Sequence, residues 1–578
     1  MVIFMKKLLK YMSDYKLECI LGPLFKLLEA SFELMVPLVM ASVIDVGIKA
    51  GDKGYIYRMC LLLIALGAVG LVCALTAQFF AAKASVGFTA KVRHAVFEHI
   101  QSQSFTELDE TGPSTLMTRM TSDINQVQNG VNLTLRLLLR SPLVVFGAMV
   151  MAFTIDFKAA LVFAAIIPIL GAVVFAVMLW TLPRYKQVQS RLDRVLGVVR
   201  ENLAGVRVIR AFGKEENEIV RFGEENRDLT HLQIFVGRVS ALMNPMTFIL
   251  INLATLVLIW VGAVRVNNAV LSQGQVVALI NYMALILTEL IKLADLIINI
   301  SRALACAARV QSVLEISPSL TTPERGEAGT LDGSVTFENV SFTYKGAGAP
   351  SLENISLTVR PGETVGIIGG TGSGKSTLVN LIPRFYDVTG GTVKVGGQNV
   401  KAWPLEALRQ QIGMVPQHAE LFTGTVRENL CWGKKDAADE ALLEALSAAQ
   451  AKDFITALPG GLDAPVAQGG RNFSGGQRQR LTVARALVRQ PKILILDDSM
   501  SALDLVTESN LREALKALPQ KPTVFLISQR AASLLHCDQI LVLEDGEPVG
   551  LGKHEELLKG CRVYQEIYQS QFGEEEPA

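Results

Sequence analysis

Gly369-Gly370-Thr371-Gly372-Ser373-Gly374-Lys375-Ser376-Thr377 is the stretch from which the fold is read. Residues 364–368 before it form an apolar run suited to a buried strand, and 378–382 after it suit the opening of a helix. The spacing of Gly369, then Gly374-Lys375-Ser376, fits a loop that cradles phosphate. Glycine admits backbone angles closed to other residues, so successive N–H groups can converge on one anion. The helix start adds the positive end of its dipole. Lys375 is placed to reach the β- and γ-phosphates of a nucleotide, and the Ser376 hydroxyl to ligate Mg2+.

The chain's 578 residues are too many for one core. Half of them are hydrophobic and only 19% are charged, more apolar than an ordinary soluble protein. The excess lies in the first half. A net charge of +1 points to neither nucleic acid nor an acidic partner. The seven cysteines are scattered without a CxxC pair and read as free thiols. No cleavable signal peptide is expected, because the first long apolar stretch lacks a small-residue exit.

Residues 1–16 carry Lys6, Lys7, Lys10 and Lys16 among apolar side chains, a basic amphipathic stretch suited to the inner membrane surface. Six apolar segments follow at about 20–48, 59–82, 137–154, 159–182, 241–265 and 275–299, each near the roughly 20 residues that cross a bilayer. The long polar stretches after spans two and four are rich in Lys and Arg (Lys83, Lys91, Arg93 and Arg119 in one; Arg184, Lys186, Arg191 and Arg194 in the other). The short loops and their edges hold fewer, among them Lys53, Arg58, Lys158 and Arg265. This asymmetry puts both long stretches and both termini in the cytoplasm of a multi-pass cell-membrane protein. Helical periodicity predicts that spans two to five continue below the membrane. Glu33 and Asp45 fall in the first span, and Glu289, Lys292 and Asp295 in the sixth, where ionisable groups are costly. Glu289, Lys292 and Asp295 follow one another three apart, so neighbours can pair along the helix. The charges form either a self-neutralising structural cluster, or one near the membrane edge, or a substrate contact. Met243, Met246 and Phe248 read as packing, with a drug pocket as the alternative.

Ser317-Pro318 breaks the helical pattern, and 317–333 reads as a linker. Residues 335–344 then alternate like a strand ending at Tyr344, whose ring could stack on adenine. Residues 493–498 are an apolar strand ending in Asp497 and Asp498. Asp497 is placed to hold Mg2+ opposite Ser376, and Gln417 could complete the metal shell. Phe473-Ser474-Gly475-Gly476-Gln477 opens a second helix able to accept an anion. Two such domains placed head to tail would let each loop's nucleotide meet the other's Ser474-Gly475-Gly476.

In chain order, Tyr344, the 369–377 loop, Gln417, the 473–477 motif, Asp497 and Ser501-Ala502-Leu503-Asp504 resemble the ATP-binding-cassette family. Six spans before one cassette resemble a half-transporter of the exporter type. The resemblance implies an α-helical six-span transmembrane domain, residues 1–316, with long cytoplasmic helix extensions, then an α/β P-loop ATPase domain, residues 334–578. It implies ATP and Mg2+ as cofactors. Tyr344, Gly369, Thr371, Gly372, Ser373, Gly374, Lys375, Ser376 and Thr377 would hold the nucleotide, and Ser474, Gly475, Gly476, Gln477 and Asp504 would contribute across a dimer. Coupling helices are implied at about 104–112 and 212–220, the second reaching the partner's cassette. The function implied is alternating-access export of amphipathic drugs, lipids or peptides.

The chain departs from the family pattern twice. After Asp497 the family carries a catalytic Glu, and here stands Asp498, one methylene shorter. Misplacement by about 1 Å can cost about a hundredfold in rate. At the switch position the family carries His, and here stands Gln529, which cannot bear positive charge. The resemblance therefore implies a degenerate site that holds ATP and seldom cleaves it. The intact 473–477 motif would complete a competent site on a second, non-identical half-transporter with its own Glu and His. The alternatives are a homodimeric exporter with both sites active and an ATP-gated regulatory membrane protein.

Overall fold

The computed structural model describes residues 8–321 and 332–573. The chain divides into Met1–Gln101 with Ser114–Ile316, and Ser102–Pro113 with Ser317–Ala578.

In the first unit, six helices among the described residues are long and apolar enough to cross a membrane: α1 (Lys10–Ile48), α2 (Lys53–Ser102), α4 (Pro113–Ile155), α5 (Phe157–Ala204), α7 (Glu215–Asn267) and α8 (Gln273–Leu314). At about 1.5 Å per residue, the 50 residues of α2 are long enough to reach well beyond a hydrocarbon layer of about 30 Å. Two starts are capped by the sequence itself. Asp156 accepts from Ala159 N at 2.8 Å, and Ser272 and Gln275 cap each other's backbone N–H at 3.2 and 2.9 Å. The core joins α1, α4, α5, α7 and α8 through small and large apolar residues such as Ala30, Ala148, Phe163, Leu258 and Met283. Part of the amphipathic stretch expected at 1–16, residues 1–7, lies outside the described residues; Lys10–Tyr15 forms a 3-10 turn that runs into the first span.

The intramembrane charges resolve into two structures. Arg140 on α4 is buried and reaches Glu289 on α8 and Glu33 on α1, both at 2.6 Å. Ser141 donates to Glu289 at 2.8 Å, and Lys292 pairs with the same carboxylate at 2.9 Å. The pairing along the sixth span therefore holds for Glu289 and Lys292, but Asp295 is exposed and forms no ion pair among the described residues. Asp45 serves differently: it accepts from the Ser272 hydroxyl and, at 2.8 Å, from Gly274 N, closing the start of α8. A Cβ on Gly274 would lie 2.4 Å from Ala41 O, so this approach of α1 to α8 requires glycine. Met246 and Phe248 are exposed, so they are not packing within this chain.

The second short helix is displaced from its expected place at 212–220. α6 covers Val206–Ala211, Gly213 turns the chain at φ 59°, and α7 starts at Glu215. Gly205 interrupts the preceding helix early. Glu215, Glu216 and Glu218 favour a helix N-terminus, so the acidic run became the first turn of α7.

In the second unit, β1 (Val335–Phe342), β2 (Leu352–Val359), β4 (Gly390–Val395) and β5 (Gln398–Asn399) form one antiparallel sheet in the order β2-β1-β4-β5. The larger sheet is parallel except at one edge. It holds β3 (Thr364–Gly369), β6 (Ile412–Val415), β7 (Ile493–Asp497), β8 (Thr523–Ile527), β9 (Gln539–Glu544) and β10 (Glu547–Gly552), in the order β10-β9-β3-β8-β7-β6. Strands β3, β7, β8 and β9 are continuous apolar runs, as sheets covered on both faces require. Phe337, Trp403, Phe525 and Leu541 fill the core between the sheets.

The short helix α3 (Phe105–Thr111) belongs to this unit. Its Phe105 ring lies 4.6 Å from that of Phe385, and Asp109 accepts from Tyr386 Oη at 2.6 Å. Burial and this acceptor push the Tyr386 hydroxyl pKa upward. Of the expected linker, residues 322–331 lie outside the described residues.

Candidate functional site

Strand register assembles the site. Ile527 pairs with Ile367 on one side and with Asp497 on the other, so the ends of β3, β8 and β7 stand on one rung. Ligands of open α/β sheets bind beyond these carboxyl ends. A cavity of about 480 Å³ opens there, lined by Thr371, Gly372, Gly374, Lys375, Ser376 and Thr377 of the loop, with Tyr344, Gln417, Asp497, Asp498 and Gln529 among its other walls. Gly374 sits at φ 90°, and a Cβ on it would lie 2.6 Å from Ser351 O. A Cβ on Gly369 would meet Leu543 O at 2.1 Å. Gly374→Ala is therefore expected to lower domain stability by at least about 1–2 kcal/mol, the strain of an L-residue in this conformation, with the close approach to Ser351 O adding to it. The midpoint of denaturant unfolding measures it.

Lys375 Nζ donates to Gly369 O at 3.1 Å and Gly370 O at 2.5 Å, holding the loop closed around itself. Burial pulls its pKa down, opposed by Asp498 and Asp497. Ser376 Oγ donates to Asp497 Oδ1 at 2.9 Å. Burial pushes the Asp497 pKa up and the nearby Asp498 adds to it, while the Ser376 hydrogen bond and Lys375 oppose. Tyr344 Oη lies 3.1 Å from Thr377 Oγ1, and its ring meets Phe342 and Tyr386 edge-on.

Asp498 occupies the left-handed region at φ 45°, which Asp tolerates better than most residues. Its backbone is fixed by N–H donation to Ile527 O at 3.1 Å and by the Ser501 hydroxyl donating to its carbonyl at 2.7 Å. Gln417 Nε2 lies 3.4 Å from Asp498 Oδ2, so it leans on Asp498 and not on Asp497. The donors still fit Mg2+ and a nucleotide. A hydroxyl and a carboxylate meet where a hard cation needs oxygen, and a buried ammonium sits inside a loop of main-chain N–H groups. Lys375, Ser376 and Asp497 would hold the metal-bound triphosphate, whose γ-phosphate would supply the scissile bond.

Two sets of expected residues stand elsewhere. Ser474 and Gln477 do not line the cavity; they cap their own helix, Gln477 accepting from Ser474 N at 2.9 Å and donating its own N–H to Ser474 Oγ at 3.3 Å, with Gly475 and Gly476 in its first turn. Asp504 likewise caps the helix Leu505–Lys516, accepting from Thr507 N at 3.0 Å and Thr507 Oγ1 at 2.7 Å. Asp545 and Ser351, which no local motif marks, also line the cavity. Gln571 carries no such mark either: its amide holds the backbone on both sides of Arg530, donating to Gln529 O and accepting from Ala531 N. A polar residue on the apolar face of the last helix was its only signal in the sequence.

Residues 19–290 match the model of the ABC transporter transmembrane region, and 352–501 match that of the ABC transporter. The uncharacterized ABC transporter ATP-binding protein YfiB of Bacillus subtilis is 37% identical over 99% of both chains. This chain belongs to the ABC transporter family. The transporter is also 33% identical to the ATP-dependent lipid A-core flippase of Syntrophus aciditrophicus, over 84% of this chain and 81% of that one. It is 32% identical to the putative multidrug export ATP-binding/permease protein YgaD of Bacillus subtilis over 98% of each. The transporter is an exporter-type half-transporter, multi-pass in the inner membrane, with a cytoplasmic ATPase domain that binds ATP with Mg2+.

Proposed function

We propose that this half-transporter works in a heterodimer, its own site retaining ATP and hydrolysing it slowly. The observation that carries the reading is the pair of side chains beside the expected γ-phosphate, the short carboxylate of Asp498 and the neutral amide of Gln529 on one cavity. Grip is complete in Lys375, Ser376 and Asp497, while the groups that would aim and polarise water are both reduced. Ser474, Gly475, Gly476, Gln477 and Asp504 stand outside that cavity, free to complete a site on a non-identical partner with Glu and His at these positions. Phe105–Thr111, seated on Phe385 and Tyr386, is the coupling helix that transmits closure of the cassettes. In this reading two bound ATPs close the cassettes, the membrane cavity turns outward, and hydrolysis at the partner's site resets it.

The cargo class is amphipathic, a drug, lipid or peptide. The exposed Met246 and Phe248 and the names of the flippase and multidrug relatives support it. The test co-purifies the chain with a second half-transporter and measures ATPase activity. Asp498→Ala is expected to leave turnover of the complex within about twofold, whereas removing the partner's Glu lowers it by about a hundredfold or more. Brisk hydrolysis by this chain alone, abolished by Asp498→Ala, would establish the homodimeric alternative instead.

A further inference from the structure

Gln571 stands on the last described helix, Arg562–Phe572, remote in sequence from the residues that line the nucleotide cavity. Its side-chain amide makes two hydrogen bonds to one short segment. Nε2 donates to Gln529 O at 2.6 Å, and Oε1 accepts from Ala531 N at 2.8 Å. We propose that Gln571 is a positioning residue for the switch segment 528–531, fixing from the C-terminal helix where the Gln529 side chain stands at the nucleotide cavity.

Both ends of this link are anchored. Tyr564, Tyr568 and Gln571 recur at i, i+4 and i+7, one face of the helix. Tyr564 is fully buried, its hydroxyl lies 2.8 Å from His554 Nδ1, and the Tyr568 ring packs on His554 and on Phe572. The helix therefore offers the amide from a fixed place. In the segment, Ser528 N donates to Ile367 O at 3.2 Å, on the strand that leads into the phosphate loop. Ser528 Oγ accepts from Arg530 N at 2.9 Å, and Arg530 Nη2 donates to Ser501 O at 3.1 Å. These bonds tie the flanks of residue 529, but its own carbonyl and the next free N–H are tied by Gln571. Because one planar amide takes both, a shift of the helix end moves the Gln529 backbone with it. Gln529 lines the cavity, so the displacement is felt where the γ-phosphate binds. The link acts whether or not this site hydrolyses, since what it sets is geometry.

The test uses the full chain reconstituted in lipid, with Gln571→Met, which keeps the length and loses both bonds, and Gln571→Glu, which keeps the acceptor and loses the donor. Hydrogen exchange at Ala531 N–H is read beside exchange in the helix 562–572 and ATP affinity at the chain's own site. Gln571→Met is expected to speed Ala531 exchange by about fivefold or more and to weaken ATP binding by about threefold, with the helix amides unchanged. Gln571→Glu is expected to restore Ala531 protection while leaving ATP binding intermediate. Unchanged Ala531 exchange would overturn the proposal. So would fraying of the whole helix with ATP affinity intact, which would make Gln571 a fastener of the helix and nothing more.

Discussion

Lys375→Ala is expected to lower the affinity of this chain for ATP by about a hundredfold or more. The ammonium is buried beneath the loop and closes it through Gly369 O and Gly370 O. When phosphate oxygens replace those carbonyls, each charge-assisted hydrogen bond is worth about 1.5–3 kcal/mol, and two are lost with the side chain. At 1.4 kcal/mol per factor of ten, their loss exceeds two decades. Equilibrium binding of a fluorescent ATP analogue to the purified chain measures it. Lys375→Arg is expected to rescue little, because the wider guanidinium does not fit a loop closed on a point charge. Binding within about threefold of the parent in Lys375→Ala would remove the phosphate loop from the centre of the site.

Arg140→Leu is expected to be the most damaging single change in the membrane unit, costing about 3–5 kcal/mol. Arg140 joins α1, α4 and α8 through Glu33 and Glu289, and Glu289 is only 2% exposed. Without the guanidinium, Glu289 keeps Ser141 and the exposed Lys292, and the desolvation of its charge is no longer offset. A total stability of about 5–15 kcal/mol leaves little after such a loss. The yield of monodisperse protein and its thermal midpoint should both fall sharply. The Arg140→Leu/Glu289→Leu pair should recover much of the loss, since no buried charge then lacks its partner. Lys292→Gln should cost clearly less than Arg140→Leu, because Lys292 is exposed and Glu289 keeps Arg140 and Ser141. Parent-like melting of Arg140→Leu would mean the cluster does not hold the three helices together.

The charged first and sixth spans show how far local reading reaches. Glu289 and Lys292 are three apart on one helix, and their pairing follows from helix geometry alone. Arg140 has no such local partner in the sequence, because its carboxylates come from helices more than a hundred residues away along the chain. Asp45 looked like a buried charge in search of a partner; the contact of α1 with α8 turned it into a cap. The second short helix was misplaced because composition marks a polar segment, while Gly205 and Gly213 decide where the chain bends within it.

The sequence by itself determined the phosphate loop, the strand before it, the six apolar spans and the two altered residues beside the loop. Each is a contiguous pattern, and backbone geometry, bilayer thickness or side-chain chemistry acts on it locally. Only the tertiary structure decided that Asp497, Gln529 and the loop share one edge, since pairing of β3, β8 and β7 sets their register. It alone decided that Gln571 grips the switch segment and that Arg140 closes on Glu33 and Glu289. Those partners meet through packing between distant elements, and distance along the chain carries no record of it.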